Sequence, residues 1–210
     1  MTSASSRSDR RLVVATLNRA KGRELARLLG DLPFELVLLG DVAGASLPEE
    51  TGTTYAENAL IKARAAARET ALMALADDSG LEVHALGGAP GVRSARYGGP
   101  GLDDAGRIAR LLDALREVPD GRRGARFRCV IALVTPTGAD NRIVEGTVDG
   151  TIVREPRGTN GFGYDPVFFY PPLGRTFAEL TPESKSRVDH RGAAVRALRQ
   201  LLTGGQGSRS

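Results

Sequence analysis

Apolar residues in this chain fall into short runs separated by polar, glycine-containing connections. Residues 12–15 (LVVA) follow a polar lead and have the length of a buried strand. The run breaks at Thr16-Leu17-Asn18-Arg19-Ala20-Lys21. Leu25, Leu28 and Leu29 then recur at helical spacing as far as Gly30. Residues 34–39 (FELVLL) predict a second strand, and 54–70 predict an alanine-rich helix with Ala59, Ala63, Ala66 and Ala67 available for close packing. Residues 71–76 (ALMALA) predict a strand that runs into Asp77-Asp78-Ser79-Gly80. The stretch 102–118 places Ile108, Leu111, Leu112 and Leu115 on one helical face. Residues 126–134 and 143–153 predict strands joined by a Thr-Pro-Thr-Gly turn, and 191–202 a closing helix. The runs 87–91 and 158–166 are rich in glycine and are expected to be irregular. Strand, loop, helix, strand is the order of an α/β protein.

Composition narrows the classes further. With 210 residues, 41% hydrophobic and 26% charged, the chain suits a globular protein and excludes collagen-like, coiled-coil and disordered classes. No apolar run approaches the roughly 20 residues of a membrane span, so no membrane partner is expected. The start MTSASSRSDRR has no apolar segment and does not resemble a signal peptide. Cys129 is the single cysteine, which leaves no internal disulfide and no cysteine metal site. A cytoplasmic location follows as the expectation, with one domain over 12–202 and flexible tails at 1–11 and 203–210.

The formal charge of +4 is concentrated at the ends: Arg7, Arg10, Arg11 and Arg209 lie there, and residues 12–202 carry only +1. A nucleic-acid binder concentrates basic charge on its folded face, so no nucleic-acid partner is expected. More telling is that only three of the 29 basic residues are lysines: Lys21, Lys62 and Lys185. A compact ammonium fits where a planar guanidinium does not. Codon preference gives the same count by itself.

Four polar segments carry the candidate chemistry. The loop 16–21 leads from a strand into a helix, where free N–H groups and the positive helix end suit a phosphate, with Thr16 and Asn18 as donors and Lys21 as a charge. An ordinary capped loop has the same composition. Glu49-Glu50 is an acidic pair before Thr51-Gly52, of the kind that is often only solvated. Asp77-Asp78 follows an apolar strand. Successive side chains of a strand point to opposite faces, and burial of either carboxylate requires a cation or a metal. Oxygen ligands without His or Cys suit Mg²⁺, while a turn with an aspartate cap is the alternative. The fourth segment is Gly161-Phe162-Gly163-Tyr164-Asp165 with Lys185 and His190-Arg191, in which aromatics on glycine-flanked backbone, outside the core, could lie against a base. A hairpin bulge with aromatic plugs is the alternative there. Arg191 at a helix start opposes the macrodipole, so a ligand or buried acid is expected to compensate it. The set points to a Mg²⁺-dependent nucleotide enzyme.

In matching order, the segments ATLNRAK (15–21), EETGTTYAENALIKA (49–63), ADDSGLEVHALGGAPGVRSARY (76–97), GTNGFGYDPVFF (158–169) and AELTPESKSRVDHRGAA (178–194) closely resemble the inosine triphosphate pyrophosphatases. All three lysines fall inside them. The resemblance implies an elongated two-lobed α/β fold with a long central mixed β-sheet flanked by helices and a cleft between the lobes, in a homodimer. It implies hydrolysis of a non-standard purine nucleoside triphosphate (ITP, dITP or XTP) to the monophosphate and pyrophosphate with Mg²⁺, which keeps such bases out of DNA and RNA. Glu49 and Asp78 would hold the metal, and Asp78 would also act as base. Thr16, Leu17, Asn18, Arg19, Ala20, Lys21, Ser79 and Lys185 would contact phosphates and sugar. Phe162, Gly163, Tyr164, Asp165, His190 and Arg191 would form the base pocket. Two positions depart from the family pattern: Leu17 stands where glycine is usual, and Asp189 where serine usually precedes His-Arg. Two other classes are distinguishable by assay. A binding-only regulator would bind ITP without turnover, and a nucleic-acid factor would show salt-sensitive DNA or RNA binding.

Overall fold

A computed structural model describes residues 11–204. Except for Arg11, Thr203 and Gly204, the expected tails lie outside the described residues. Seven strands form one mixed sheet in the order β2-β1-β3-β4-β5-β6-β7. They are β1 (Arg11–Val14), β2 (Glu35–Leu38), β3 (Met73–Val83), β4 (Gly124–Val134), β5 (Asn141–Ile152), β6 (Phe168–Tyr170) and β7 (Arg175–Thr176). β1 pairs in parallel with β2 and β3, with Val13 opposite Val37 and Ala74, whereas β6 is antiparallel to β5 and β7. The helices are α1 (Arg19–Leu29), α2 (Tyr55–Thr70), α3 (Asp104–Ala114), α4 (Pro182–Val188) and α5 (His190–Gly204). The expected mixed α/β sheet with helices is present.

The chain divides into two compact units. The first comprises residues 1–78, 130–145 and 194–210, and the second 79–129 and 146–193. In the first, Leu12, Val13 and Val14 of β1 are buried together with Leu25 and Leu29 of α1. The α2 alanines Ala59, Ala63, Ala66 and Ala67 are buried at helical spacing, as the sequence suggested. In the second, Leu81, Ile108, Leu111, Leu115, Phe127, Phe168 and Phe177 form the core. Phe127 stacks on Phe177 and tilts against Phe168 with centroids 4.5 Å apart. Buried Arg123 closes the end of α3 by donating to the Leu115 carbonyl at 2.7 Å and to Ile152 at 2.8 Å. Cys129 is buried as expected.

Several boundaries differ from the sequence reading. β3 does not stop at Asp77-Asp78 but continues to Val83, because both carboxylates find cations and the strand need not break there. α3 is shorter than 102–118: Asp103 caps it by accepting from the Gly106 N–H at 2.8 Å. α4 and the short strands β6 and β7 carry too few residues to show a periodic pattern. No helix among the described residues is long and apolar enough to cross a membrane.

Candidate active site

In the first unit the site grows from two helix starts and one strand. Asn18 caps α1, its Oδ1 accepting from the N–H groups of Ala20 at 3.0 Å and Lys21 at 3.1 Å. Its own N–H donates to Thr16 Oγ1. The expectation that these helix N–H groups stand free is therefore corrected, since the cap side chain takes two of them. What the loop offers outward is the Lys21 ammonium, the Arg19 side chain and Leu17, which is 47% exposed.

Asp77 and Asp78 are both buried, and as neighbours on β3 they face opposite ways. Each is met by a lysine from a different helix. Lys21 Nζ of α1 lies 3.3 Å from Asp77 Oδ2, and Lys62 Nζ of α2 lies 3.5 Å from Asp78 Oδ1. Without those cations the desolvation cost would be several kcal/mol per carboxylate.

The approach to α2 is built to aim Asn58 and Lys62. Thr54 and Glu57 form a reciprocal capping box, and backbone N–H groups donating to Glu57 hold its carboxyl below the usual range. The Gly52 N–H donates to Asn58 Oδ1 at 2.8 Å. A side chain at Gly52 would collide with that oxygen, so the close approach demands glycine. Asn58 is fully buried and donates from Nδ2 to Asp78 Oδ2 at 3.2 Å. One turn later Lys62 Nζ also meets Glu50 Oε1 at 2.6 Å. Burial opposes the ammonium, but the charges of Asp77, Asp78 and Glu50 outweigh it and hold the Lys62 value up. Burial dominates at Asp78 and pushes its carboxyl up, against the pull of Lys62 and Lys21. A carboxylate with its proton affinity raised suits a general base.

In the second unit the loop 158–166 folds onto Asp165. Its Oδ2 accepts from the Phe162 N–H at 3.0 Å and from Lys185 Nζ at 2.7 Å. Gly161 has φ +77°, and a Cβ there would lie 2.0 Å from Asp165 Oδ2. Lys185 Nζ sits 5.1 Å and Arg191 Cζ 5.5 Å from the centroid of the Phe162 ring. Arg191 is buried and donates to Ser79 Oγ at 2.9 Å. His190, the first residue of α5, stacks on Phe127 at 4.6 Å. Asp189, also buried, caps α5 by accepting from the Gly192 N–H at 2.7 Å.

One expectation about the aromatics fails. Tyr164 belongs to the core, donates its hydroxyl to the Ser94 carbonyl at 2.9 Å, and burial pushes that hydroxyl's acidity well below an ordinary phenol's. Flanking glycines, which suggested an exposed ring, instead let the loop fold inward. Phe162 keeps partial exposure, and the Gly163 N–H donates to Asp104 Oδ2. Glu49 is exposed, and it is the adjacent Glu50 that shares Lys62 with Asp78. Asn58, Glu50 and Lys62 are the participants to which the sequence assigned no role; the visible signal was the spacing of Asn58 and Lys62 by four residues, one helical face.

Among the described residues no three His, Cys, Asp or Glu side chains gather as a metal site made by protein alone. Carboxylates without His or Cys neighbours suit a divalent cation of the Mg²⁺ kind, which takes one or two carboxylates plus phosphates. Fold and site define an α/β protein with buried aspartates each held by a lysine. The sequence profile of the Ham1 family matches residues 12–201, and the chain belongs to that family. It is 53% identical over 200 residues to the dITP/XTP pyrophosphatase of Methylococcus capsulatus, a match covering 93% of this chain and 99% of that protein. It is 50% identical over 196 residues to the dITP/XTP pyrophosphatase of Shigella flexneri, again covering 93% and 99%. The solved structure of a HAM1 protein from Coxiella burnetii superposes with a TM-score of 0.83 at 47% identity, covering 92% of this chain and 98% of that one.

Proposed function

We propose that this protein hydrolyses non-standard purine nucleoside triphosphates, of the dITP and XTP type, to the monophosphate and pyrophosphate. It is a nucleoside triphosphate pyrophosphatase. The observation that carries the reading is the placement of the three lysines: each ammonium is fixed on a buried aspartate, Lys21 on Asp77, Lys62 on Asp78 and Lys185 on Asp165. Such pairs keep cations in place for phosphates without leaving a loose basic surface.

Asp78 takes the proton of the attacking water, and Asn58 and Lys62 fix the orientation of its two oxygens. Lys21 and the loop 16–21 meet the phosphate chain. Glu49 and Asp78 would hold Mg²⁺, with the neighbouring Glu50 kept on Lys62. When bound, Mg²⁺ neutralises charge on the phosphate oxygens as pyrophosphate leaves. Phe162, His190 and Arg191 receive the base. A 6-oxo purine accepts from the Arg191 guanidinium, whereas a 6-amino purine leaves that donor unpaired, a mismatch worth about 10⁴-fold. Ser79 and Lys185 contact sugar and phosphate. The protein is expected to act as a homodimer in the cytoplasm, with no nucleic-acid or membrane partner.

The test is hydrolysis of ITP, XTP, ATP and GTP with Mg²⁺, assaying pyrophosphate and orthophosphate separately. Pyrophosphate released mainly from ITP and XTP is the expected result. Orthophosphate as product, or equal use of ATP, overturns the reading, and binding of ITP without turnover replaces it with a regulator.

A further inference from the structure

The buried charges beside His190 and Arg191 have a balance that bears on which base is accepted. Asp189 has no solvent exposure. Its Oδ1 is spent on capping α5, and its Oδ2 lies 4.0 Å from Lys185 Nζ. That ammonium already carries Asp165 at 2.7 Å. One buried lysine therefore serves two buried carboxylates. The Arg191 guanidinium follows Asp189 by two residues, against Phe162 and Ser79. His190 stacks on the apolar ring of Phe127, and Asp104 accepts from the Gly163 N–H of the Phe162 loop at 2.7 Å. Replacing Asp189 by a neutral residue of similar shape removes one buried negative charge from these surroundings.

The two base types differ in the same currency. Hypoxanthine and xanthine both present a 6-oxo group, but xanthine carries a second oxo group and loses a ring proton near neutral pH, while hypoxanthine stays neutral. We propose that Asp189 is a specificity-determining residue that favours the neutral hypoxanthine ring over the xanthine anion. The inference rests on the reading of His190 and Arg191 as the base pocket. The titration involved belongs to the substrate. The protein supplies a buried carboxylate set at a helix N-terminus, on the Gly192 N–H and near Lys185. At separations up to about 10 Å in a partly buried site, one unit charge alters the binding of an ion by about tenfold.

The experiment is the ratio of kcat/KM for XTP to that for ITP, from mildly acidic to mildly alkaline pH, in wild type, Asp189→Asn and Asp189→Ser. Asparagine keeps the shape and the capping oxygen, and serine is a good cap as well, so one variant covers a folding failure of the other. The wild-type ratio is expected to fall as pH rises and xanthine ionises. Both variants should raise the ratio about tenfold at alkaline pH and approach the wild-type ratio in acid. A purely structural role for Asp189 would slow both substrates together and leave the ratio unmoved. An unmoved ratio, with the ITP-over-ATP preference of wild type intact, overturns the inference alone. Absence of that preference in wild type overturns the base-pocket reading, and this inference with it.

Discussion

Replacing Lys62 by methionine isolates the electrostatics of the buried Asp78. Methionine matches the stem in length and deletes the charge. Asp78, only 4% exposed, would lose the ammonium at 3.5 Å and keep the Asn58 amide at 3.2 Å. At that separation the direct attraction is about 5 kcal/mol for an effective dielectric near 20. Breaking a buried pair on one side costs about 3–5 kcal/mol in practice. For a chain of this size that corresponds to a fall in Tm of roughly 6–20 °C. The Glu50 pair adds little, because Glu50 is part-exposed and screened.

The loss should depend on pH in a fixed direction. The Asp78 carboxyl titrates above its ordinary value, so the folded state holds that proton more tightly than the unfolded chain does. This contribution favours folding in acid and is lost as pH rises through the folded value. Removing Lys62 raises that value further. The gap between wild type and variant is therefore full in alkali, above the variant's folded value, and it closes as pH falls to the wild-type folded value, which lies above the unfolded carboxylate range near about 4. Thermal unfolding followed by circular dichroism in the presence of a chelator, at several pH values, measures it. A variant within about 2 °C of wild type at pH 8, or a gap that stays constant into acid, would refute the reasoning.

Four further outcomes are expected. Asp78→Asn should lower kcat by about 10²–10⁴-fold, with circular dichroism and Tm showing an intact fold, because Lys62 retains Glu50 at 2.6 Å; a folded variant with wild-type turnover removes Asp78 from the role of base. Lys21→Arg should reduce kcat/KM despite the preserved charge, since the fork cannot reproduce a single Nζ contact to Asp77; equal kinetics would make the choice of lysine incidental. Tyr164→Phe should cost about 1 kcal/mol in chemical denaturation through loss of the 2.9 Å bond to Ser94, while the ITP-to-ATP ratio stays put; a change in that ratio would return the ring to the base pocket. Thr54→Ala should cost about 1 kcal/mol by opening the α2 capping box, and an unchanged Tm would count against that cap.

The legible parts of the fold were those whose information is local. β1 and the α2 alanines announce themselves by apolar runs and spacing, and Asn18 and Asp189 act within a few residues of their own positions. Lys62 was visible as a rare residue, yet its role depends on α2 lying beside β3, a contact sixteen positions away in sequence that no local pattern encodes. Glu49 and Glu50 are chemically identical neighbours, and only the path of the loop decides which one reaches Lys62. Tyr164 misleads for the opposite reason: its glycine neighbours suggest exposure, but they are there because the chain must turn tightly to bury it. For α4, Thr181 followed by Pro182 is a helix start written in the sequence, but the helix has seven residues and is too short to show an apolar stripe.

The siting of the lysines also determines how this protein meets reagents. The chain has three ε-amines in 210 residues, and their side chains are only 6–18% accessible in the fold. Acylating dyes, amine cross-linkers and lysine-specific proteases thus find few accessible lysines to attack while the structure holds. Labelling at Lys21, Lys62 or Lys185 becomes a clock for the opening of the carboxylate contacts around that one lysine, read by mass spectrometry without any engineered probe.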